Sequence, residues 1–230
     1  MTAQATTNNK IAPIRTLTQM EATTLMDVLN IEASPGQQRK RRIRNRSLIG
    51  LMLESGLRVW EATHLLQSDL WFADAVVTNL IVRPEIAKGG RSRTVPVSHT
   101  LHALILRMYH NIWKVDPPLF PAFAFYAATP AIPLSCRSIQ RTLSVASTRC
   151  LGRIVTPHML RHTFATKTLS VSNLRVVQTL LGHASIQTTE RYTHPNNYDL
   201  TKAIEAASPR IGCSSHEHTT RTEAHNSSHP

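Results

Sequence analysis

Two segments in the second half of the chain carry side chains that could do chemistry. The segment TPHMLRHTFAT places His158 and Arg161 three residues apart, and hence on one face of a helix. The segment LGHASIQTTERYTH contains His183 and, nine residues later, Tyr192. The neighbours of Tyr192 are polar or charged, which is not typical of a tyrosine placed for packing. Arginine binds anionic oxygens, histidine transfers protons and a tyrosine hydroxyl can act as a nucleophile.

A metal site is the competing interpretation of the histidine segment. His158 and His162 are four residues apart, a spacing that zinc sites on helices use. No glutamate stands beside His158, as it would in a metalloprotease helix. The pattern therefore disfavours a metal site and makes His162 a packing or supporting residue. Taken alone, His158 would be read as a structural histidine.

Two segments in the first half add cationic residues at exposed turns. ESGLRVWEATHL places Arg58 just after Gly56, a natural end for a helix, so that its side chain can project into a cleft. AKGGRSRTVPV places Lys88 beside two glycines, at the predicted tip of a β-hairpin.

In chain order these four segments closely resemble the tyrosine recombinase (phage integrase) family. The family pattern is an arginine after a turn like TGL, a hairpin lysine, HxxRH, LGH and a tyrosine nine residues on. The flanking segments PLSCRSIQRTL and RYTH agree with it. The resemblance covers roughly residues 16–205, and each motif is weak alone but specific in combination.

The resemblance implies a reaction and a nucleophile. Tyr192 has the family spacing and would attack a DNA phosphodiester, whereas Tyr198 does not have that spacing. The product would be a covalent 3′-phosphotyrosine, which a 5′-hydroxyl can religate. The reaction would need no ATP, no metal and no other cofactor.

The resemblance also implies the supporting residues. Arg58 and Arg161 would clamp the nonbridging oxygens as negative charge develops on them, and His183 would donate another hydrogen bond. Lys88 would be the general acid for the leaving 5′-oxygen. His158 would take the tyrosine proton or support the phosphate.

The sequence departs from the family pattern near Arg58 and at the N-terminus. Trp60 stands where the family usually has a small residue. Glu61 is either a supporting residue that orients nearby groups or an acid favoured by a helix N-terminus. Most members carry an N-terminal DNA-binding domain, and only about 15 residues precede the matching segment here. This arrangement resembles the short invertase-type members.

The charge of the chain predicts a polyanionic partner. The 26 Lys and Arg against 14 Asp and Glu give a net charge of +12. Without a basic amphipathic helix rich in aromatics, nucleic acid is favoured over a membrane surface. We expect double-stranded DNA as the partner, a homotetramer on paired sites, accessory DNA-binding proteins and no membrane. The predicted DNA contacts are Arg39, Lys40, Arg41, Arg42, Arg93, Arg137 and Arg141.

Other features favour a soluble, cytoplasmic protein, and the family resemblance implies that it is nucleoid-associated and encoded by a prokaryote, a phage or a mobile element. The three cysteines show no pairing or metal-ligand pattern, which suits a reducing compartment. The apolar runs are shorter than the roughly 20 residues of a membrane helix, and the first ten residues are polar.

The elements that must position these residues form a mixed α+β, mainly helical fold with a small antiparallel sheet. We predict a flexible lead over 1–15, a catalytic domain over 16–207 and a disordered tail over 208–230. Helices are predicted from the Thr18 capping box to about Leu29, around 48–53, over about 101–113, and from Ser135, Thr156 and Asn173, with a last one over 196–207. Strands are predicted over 75–82 and 93–97, and an irregular proline-rich loop over 116–133.

Two rival functions remain open at this point. A type IB topoisomerase or a telomere-resolvase-like enzyme shares the same catalytic set, although the wording of the LGH segment favours a recombinase. The other rival is a DNA-binding remnant without catalysis. All six catalytic positions are occupied, which counts against this rival.

Overall fold

The computed structural model describes residues 16–30, 37–114 and 122–182. Its helices and strands follow in chain order: α1 (Gln19–Val28), α2 (Gln37–Ser55), α3 (Val59–Thr63), β1 (Trp71–Phe72), β2 (Ala75–Val76), β3 (Asn79–Val82), β4 (Arg93–Pro96), α4 (His99–Met108), α5 (Cys136–Leu151), α6 (Pro157–Leu169) and α7 (Leu174–Leu181). A short 3-10 turn covers Gln67–Asp69, and a π-helical turn over Tyr109–Trp113 extends α4.

Helix α2 lies at the centre of the described fold. Its C-terminal half is apolar on most sides, and Leu48, Ile49, Leu51 and Met52 are all buried. It packs against both α4 and α6, while α1 packs against α5. A helix that is apolar all round must be enclosed by other elements. Burial of each such side chain stabilises the fold by roughly 1.5–3 kcal/mol.

Side-chain caps set the start of most helices. The cap side chain accepts a backbone N–H in each case, which satisfies a donor that the first helical turn leaves open. The caps are Thr18 for α1, Ser98 for α4, Ser135 for α5, Thr156 for α6 and Asn173 for α7. Helix α1 has a complete capping box with Glu21. The sequence predictions for α1, α5, α6 and α7 are confirmed at these positions.

Two small antiparallel sheets occupy the segment between α3 and α4. Strand β1 pairs with β2, and β3 pairs with β4 so that Leu80 faces Val95 and Val82 faces Arg93. The loop over 83–92 joins β3 to β4, and Gly89 and Gly90 in it have positive φ angles of 77° and 67°. The predicted hairpin with Lys88 in its connecting loop is confirmed.

Several elements differ from the sequence predictions. Helix α2 begins at Gln37, well before the predicted 48–53, and α3 was not predicted. The predicted single strand over 75–82 is divided into β2 and β3, and the short β1 was missed because two residues carry no periodic signal. Helix α4 begins two residues early at its Ser98 cap. The described part of the proline-rich loop, 122–133, is irregular as predicted, with only isolated bridges.

Several predictions fall on residues that the structure does not describe. They are the flexible lead over 1–15, the helix over 196–207, the tail over 208–230, and the positions of His183 and Tyr192. Within the described residues, no helix combines the length and apolar character that crossing a membrane requires.

Candidate active site

A glycine turn at the end of α2 presents Arg58. Gly56 has a φ of 63°, and a Cβ atom there would collide with the ring of Phe164. After this turn the chain buries Leu57 and continues in extended conformation at Arg58, whose residue position caps α3. The Arg58 side chain is 29% exposed. The turn therefore leaves this guanidinium partly exposed.

Glu61 is a fully buried carboxylate that contacts three arginines. It accepts the Arg58 backbone N–H at 2.9 Å, and its Oε1 lies 2.8 Å from Arg58 Nη1. Arg93 bonds both carboxylate oxygens, with Nη1 at 3.1 Å and Nη2 at 2.6 Å. Arg161 Nη1 lies 4.0 Å from Oε2. One carboxylate thus gathers Arg58, Arg93 and Arg161 from three distant parts of the sequence.

Two opposing effects set the pKa of Glu61. Burial raises the pKa, but hydrogen bonds and charge from Arg93, with two hydrogen bonds from Arg58, lower it overall to about 2. Glu61 is therefore ionised at neutral pH. The sequence left open whether Glu61 orients its neighbours or only favours a helix N-terminus. Its place in the structure fits the first reading, because its bonds join α3 to β4.

The wild type should be more stable than Glu61→Gln at neutral pH, and this difference in unfolding free energy should shrink as the pH falls. The folded-state pKa lies below the ordinary value of 4.5, so the contribution of Glu61 is present above about pH 4.5 and is lost as the pH falls toward about 2. The full contribution is about 3 kcal/mol of unfolding free energy. Urea unfolding at a series of pH values measures it. Replacement of the exposed Glu85 by Gln is the control, and a wild-type minus Glu61→Gln difference that stays constant from neutral pH down to pH ~3 would contradict the assignment.

Arg161 joins the ends of two helices. It lies on the buried face of α6, and its side chain is 4% exposed. Its Nη1 donates to the carbonyl of Gly56 at 2.6 Å and its Nη2 donates to the carbonyl of Leu181 at 2.8 Å. The guanidinium is therefore held between the turn that presents Arg58 and the C-terminal end of α7, next to Gly182.

Lys88 shares a surface cleft with Arg58. The cleft has a volume of about 290 Å³, and its lining includes Arg58, Trp60, Glu61 and Lys88. Lys88 is exposed, and Gly89 beside it meets no other atoms within 4 Å of an added Cβ. The structure thus brings these two predicted site residues, distant in sequence, to one cleft.

The two histidines of α6 lie in different environments. His158 is exposed, whereas His162 is buried. Their rings meet edge to face with centroids 4.1 Å apart. The placement of His162 fits the predicted packing role. Among the residues that the structure describes, no group of three or more His, Cys, Asp and Glu side chains could hold a metal ion.

The prediction that Arg93 contacts DNA needs correction. Its side chain is only 5% exposed, both Nη atoms bond Glu61, and Nε donates to the carbonyl of Leu180 at 2.9 Å. Its stem also approaches Gly182 so closely that a Cβ there would lie 2.8 Å from Arg93 Cδ. The sequence showed a basic hairpin but not which side chains turn inward: alternation along β4 buries Arg93.

Other predicted DNA contacts meet in a groove between α2 and α5. Its lining includes Arg41, Arg42, Arg141 and Arg149, and its volume is about 780 Å³. Arg149 was missed from the sequence, although it lies eight residues after Arg141 and hence near the same face of α5. We call this feature the basic groove. Arg39 and Arg137 are exposed, and Lys40 is half-buried in a neighbouring pocket with Arg41.

Two arginines of the basic segment RKRRIRNR, which runs from Arg39 to Arg46, stabilise the fold. Arg44 is buried, and its Nη1 donates to the carbonyl of Tyr126 at 2.6 Å. Burial lowers the pKa of Arg44 to about 10, with a further lowering from nearby Arg41. Arg46 donates through Nε to the carbonyl of Met26 at 3.2 Å. The run from Arg39 to Arg46 is therefore exposed only in its first half.

Comparison with known proteins gives the family context. Residues 15–198 match the model of the phage integrase family. Tyrosine recombinase XerC of Xanthomonas campestris pv. campestris (strain B100) is 39% identical over 171 residues, which are 73% of this chain and 49% of that protein. The chain spans about half the length of the curated relatives that it matches.

Solved structures show the same fold. The XerH site-specific recombinase bound to palindromic difH substrate, a post-cleavage complex, is 25% identical, with a TM-score of 0.65 over 85% of this chain and 53% of that one. The catalytic domain of bacteriophage HP1 integrase is 22% identical, with a TM-score of 0.54 over 83% of this chain and 93% of that one. The mainly helical fold with small antiparallel sheets is the fold of these domains. The chain belongs to the phage integrase family.

Proposed function

We propose that this protein is a site-specific DNA recombinase of the integrase or invertase type, which cuts and rejoins double-stranded DNA through a 3′-phosphotyrosine at Tyr192. The observation that carries the proposal is the convergence of Arg58 and Arg161 on one buried carboxylate. Their Nη1 atoms lie 2.8 and 4.0 Å from the two oxygens of Glu61. Membership of the phage integrase family supports the same reading.

The proposed reaction exchanges one phosphodiester for another. The Tyr192 oxygen attacks phosphorus and forms the new P–O bond, while the bond to the 5′-oxygen breaks. His158 takes the tyrosine proton, or else supports the phosphate, and Lys88 supplies a proton to the leaving oxygen. Rejoining reverses these steps when a 5′-hydroxyl from another strand attacks the phosphotyrosine. The bond energy is retained, so that no nucleotide cofactor takes part.

The arginines stabilise the transition state in this proposal. Extra negative charge develops on the nonbridging oxygens, where Arg58, Arg161 and His183 donate hydrogen bonds. Such donors are most effective when they are held in place before the reaction. The bond of Arg58 to Glu61 and the two carbonyl bonds of Arg161 supply this order.

Lys88→Ala should cleave ordinary DNA slowly, and cleave DNA with a 5′-bridging phosphorothiolate at close to the wild-type rate. A thiolate leaves without protonation, so the general acid is no longer needed. Single-turnover cleavage of both substrates measures the effect. Arg91→Ala, an exposed cation of the same loop, is the matched control and should not distinguish the two substrates. Without rescue by sulfur, Lys88 is not the general acid.

We further propose that the basic groove binds the DNA backbone, with Arg39, Lys40, Arg41 and Arg42 contributing from α2. Contacts to phosphate position a protein without reading sequence. The groove combines Arg41 and Arg42 with Arg141 and Arg149 from α5, so its positive charge comes from two elements held together by the core.

Neutralising Arg39, Lys40, Arg41 and Arg42 should flatten the salt dependence of DNA binding. If the four side chains contact four phosphates, the slope of log affinity against log salt should change by roughly 3.6, about 0.9 per contact. Affinity should fall alike for all sequences. A salt titration by mobility shift measures the slope. Lys114→Gln, an exposed cation outside the groove, is a single-charge control, and an unchanged slope in the quadruple variant would exclude contact between these residues and DNA.

Recombination of two duplexes cuts four strands, and each chain supplies one Tyr192. We therefore infer a homotetramer on paired sites, with accessory DNA-binding proteins as further partners. The direct test is product formation from plasmids with one or two copies of the target site. A recombinase gives exchanged products only with paired sites, whereas a topoisomerase relaxes supercoils without them.

A further inference from the structure

Trp60 is a large apolar side chain at the mouth of the candidate active-site cleft. It is the second residue of α3 and is 54% exposed. The same cleft is lined by Arg58 and Lys88. An indole that is half exposed beside two cations is available to a partner that offers both an apolar surface and an anion.

The indole is held in one orientation. Its ring stacks on His64 with centroids 3.6 Å apart and planes inclined by 25°. His64 is fixed in turn by a contact of its Nδ1 with the carbonyl of Trp60 at 3.0 Å and by an edge-to-face contact with Phe123 at 5.9 Å. A stacked ring of this kind loses little conformational entropy when its exposed surface meets a ligand.

The charge around Trp60 indicates the chemistry of that ligand. Arg58 and Lys88 favour a phosphate, and the exposed acidic side chain Glu85, which also lines the cleft, lies 3.6 Å from Arg83 Nη1. Glu61 in the same lining is bonded to Arg58 and Arg93. A ligand that places an anion on the two cations and a flat apolar surface on the indole is a nucleotide within a DNA strand.

We propose that Trp60 packs against the nucleotide next to the phosphate that Arg58 and Lys88 hold, through its base or the apolar face of its deoxyribose. This inference rests on the proposed function, since it takes DNA as the ligand. Trp60 is then a positioning residue: it sets where the phosphodiester lies relative to the cations. Aromatic contacts of this kind tolerate many sequences, because every nucleotide offers such a face.

The fluorescence of the protein reports on Trp60 directly. Of the three tryptophans, Trp71 stacks on Tyr109 at 3.7 Å and Trp113 is buried. The emission lost in Trp60→Phe therefore identifies the Trp60 signal. In a Tyr192→Phe background, we expect a short DNA duplex to shield this signal from acrylamide. A Trp60 signal that acrylamide quenches equally with and without bound DNA would overturn the proposal.

Substitutions test the energetic role. Trp60→Ser should weaken duplex binding at least fivefold, roughly the lower end of what a nucleotide–aromatic contact contributes, and Trp60→Phe should restore most of it. Phe72→Ser is the matched control, because Phe72 is 71% exposed on strand β1, outside the cleft, and it should bind like the wild type. Wild-type affinity in Trp60→Ser would also overturn the proposal.

A scan of single abasic sites along the duplex separates the two faces of the nucleotide. If an abasic site at one position weakens binding by the wild type but not by Trp60→Ser, the base at that position is the contact. Shielding without such a position identifies the deoxyribose, and either result supports the proposal. The experiments distinguish failure of this proposal from failure of the proposed function. If the protein is not a recombinase, the wild type will not form a covalent DNA complex, but the acrylamide assay still reports whether DNA covers Trp60.

Discussion

Tyr192→Phe should abolish covalent capture of nicked DNA and leave non-covalent binding nearly unchanged. The substitution removes only the hydroxyl oxygen that would form the bond to phosphorus, and a phenyl ring has no nucleophile to replace it. The assay is a denaturing gel of protein incubated with nicked duplexes, in which cleavage releases a short fragment and traps the intermediate. A pool of duplexes from the DNA that flanks the gene supplies the target.

Tyr198→Phe is the matched control for this experiment. Both tyrosines follow the LGH segment, but only Tyr192 stands nine residues after His183. Loss of capture in Tyr198→Phe together with normal capture in Tyr192→Phe would reverse the assignment. Capture at the wild-type level in both variants would show that neither tyrosine is the required nucleophile.

Arg58→Ala and Arg161→Ala should each slow DNA cleavage by at least ~10²-fold, the usual cost of losing one preorganised donor to a developing oxyanion. The lysine variants should also be slow, because a point charge does not reproduce the fork of N–H groups that binds two oxygens at once. Single-turnover cleavage at saturating protein separates this effect from weaker DNA binding.

The bonds that both arginines make within the fold require a control for folding. Arg161 bonds the carbonyls of Gly56 and Leu181, so its loss should also lower the melting temperature, whereas the more exposed Arg58 should affect stability less. Arg175→Ala, an exposed arginine on α7, serves as a charge-matched control with normal cleavage. Normal cleavage by folded Arg58→Ala would remove that residue from the clamp.

Local signals were enough to predict most helix boundaries. The residues that begin helices do so through bonds to their own first turn, as Thr18 and Thr156 show, and such bonds depend on a few neighbouring positions. The turn at Gly56 was also predictable, because a helix end with positive φ favours glycine. Features that act over three or four residues are readable in a single sequence.

The direction of individual cationic side chains was not predictable in the same way. Arg93 and Arg44 stand in basic segments that suggest DNA contact, yet both are buried by partners remote in the sequence, Glu61 and the carbonyl of Tyr126. Conversely, Arg149 was not predicted to contact DNA, but it lines the basic groove because α5 packs beside α2. Only the tertiary fold decides which charges reach solvent.

The candidate site also has features that the sequence predicts and features that only the tertiary fold decides. Motif spacing and family resemblance supplied Arg58, Lys88 and Arg161, but not the way in which Glu61 joins Arg58 and Arg161 through its carboxylate. The position of Trp60 was noted only as a departure from a pattern, whereas its exposure is decided by the tertiary fold.

The most direct test of the account is to identify the residue that carries DNA in the covalent intermediate. Protein trapped on nicked duplex in excess EDTA would be digested with protease and nuclease, and the nucleotide-bearing peptide sequenced by mass spectrometry. The account predicts a nucleotide that is linked through its 3′-phosphate to the oxygen of Tyr192, and that forms without a metal. A nucleotide on any other residue, or capture that requires zinc or magnesium, would contradict it.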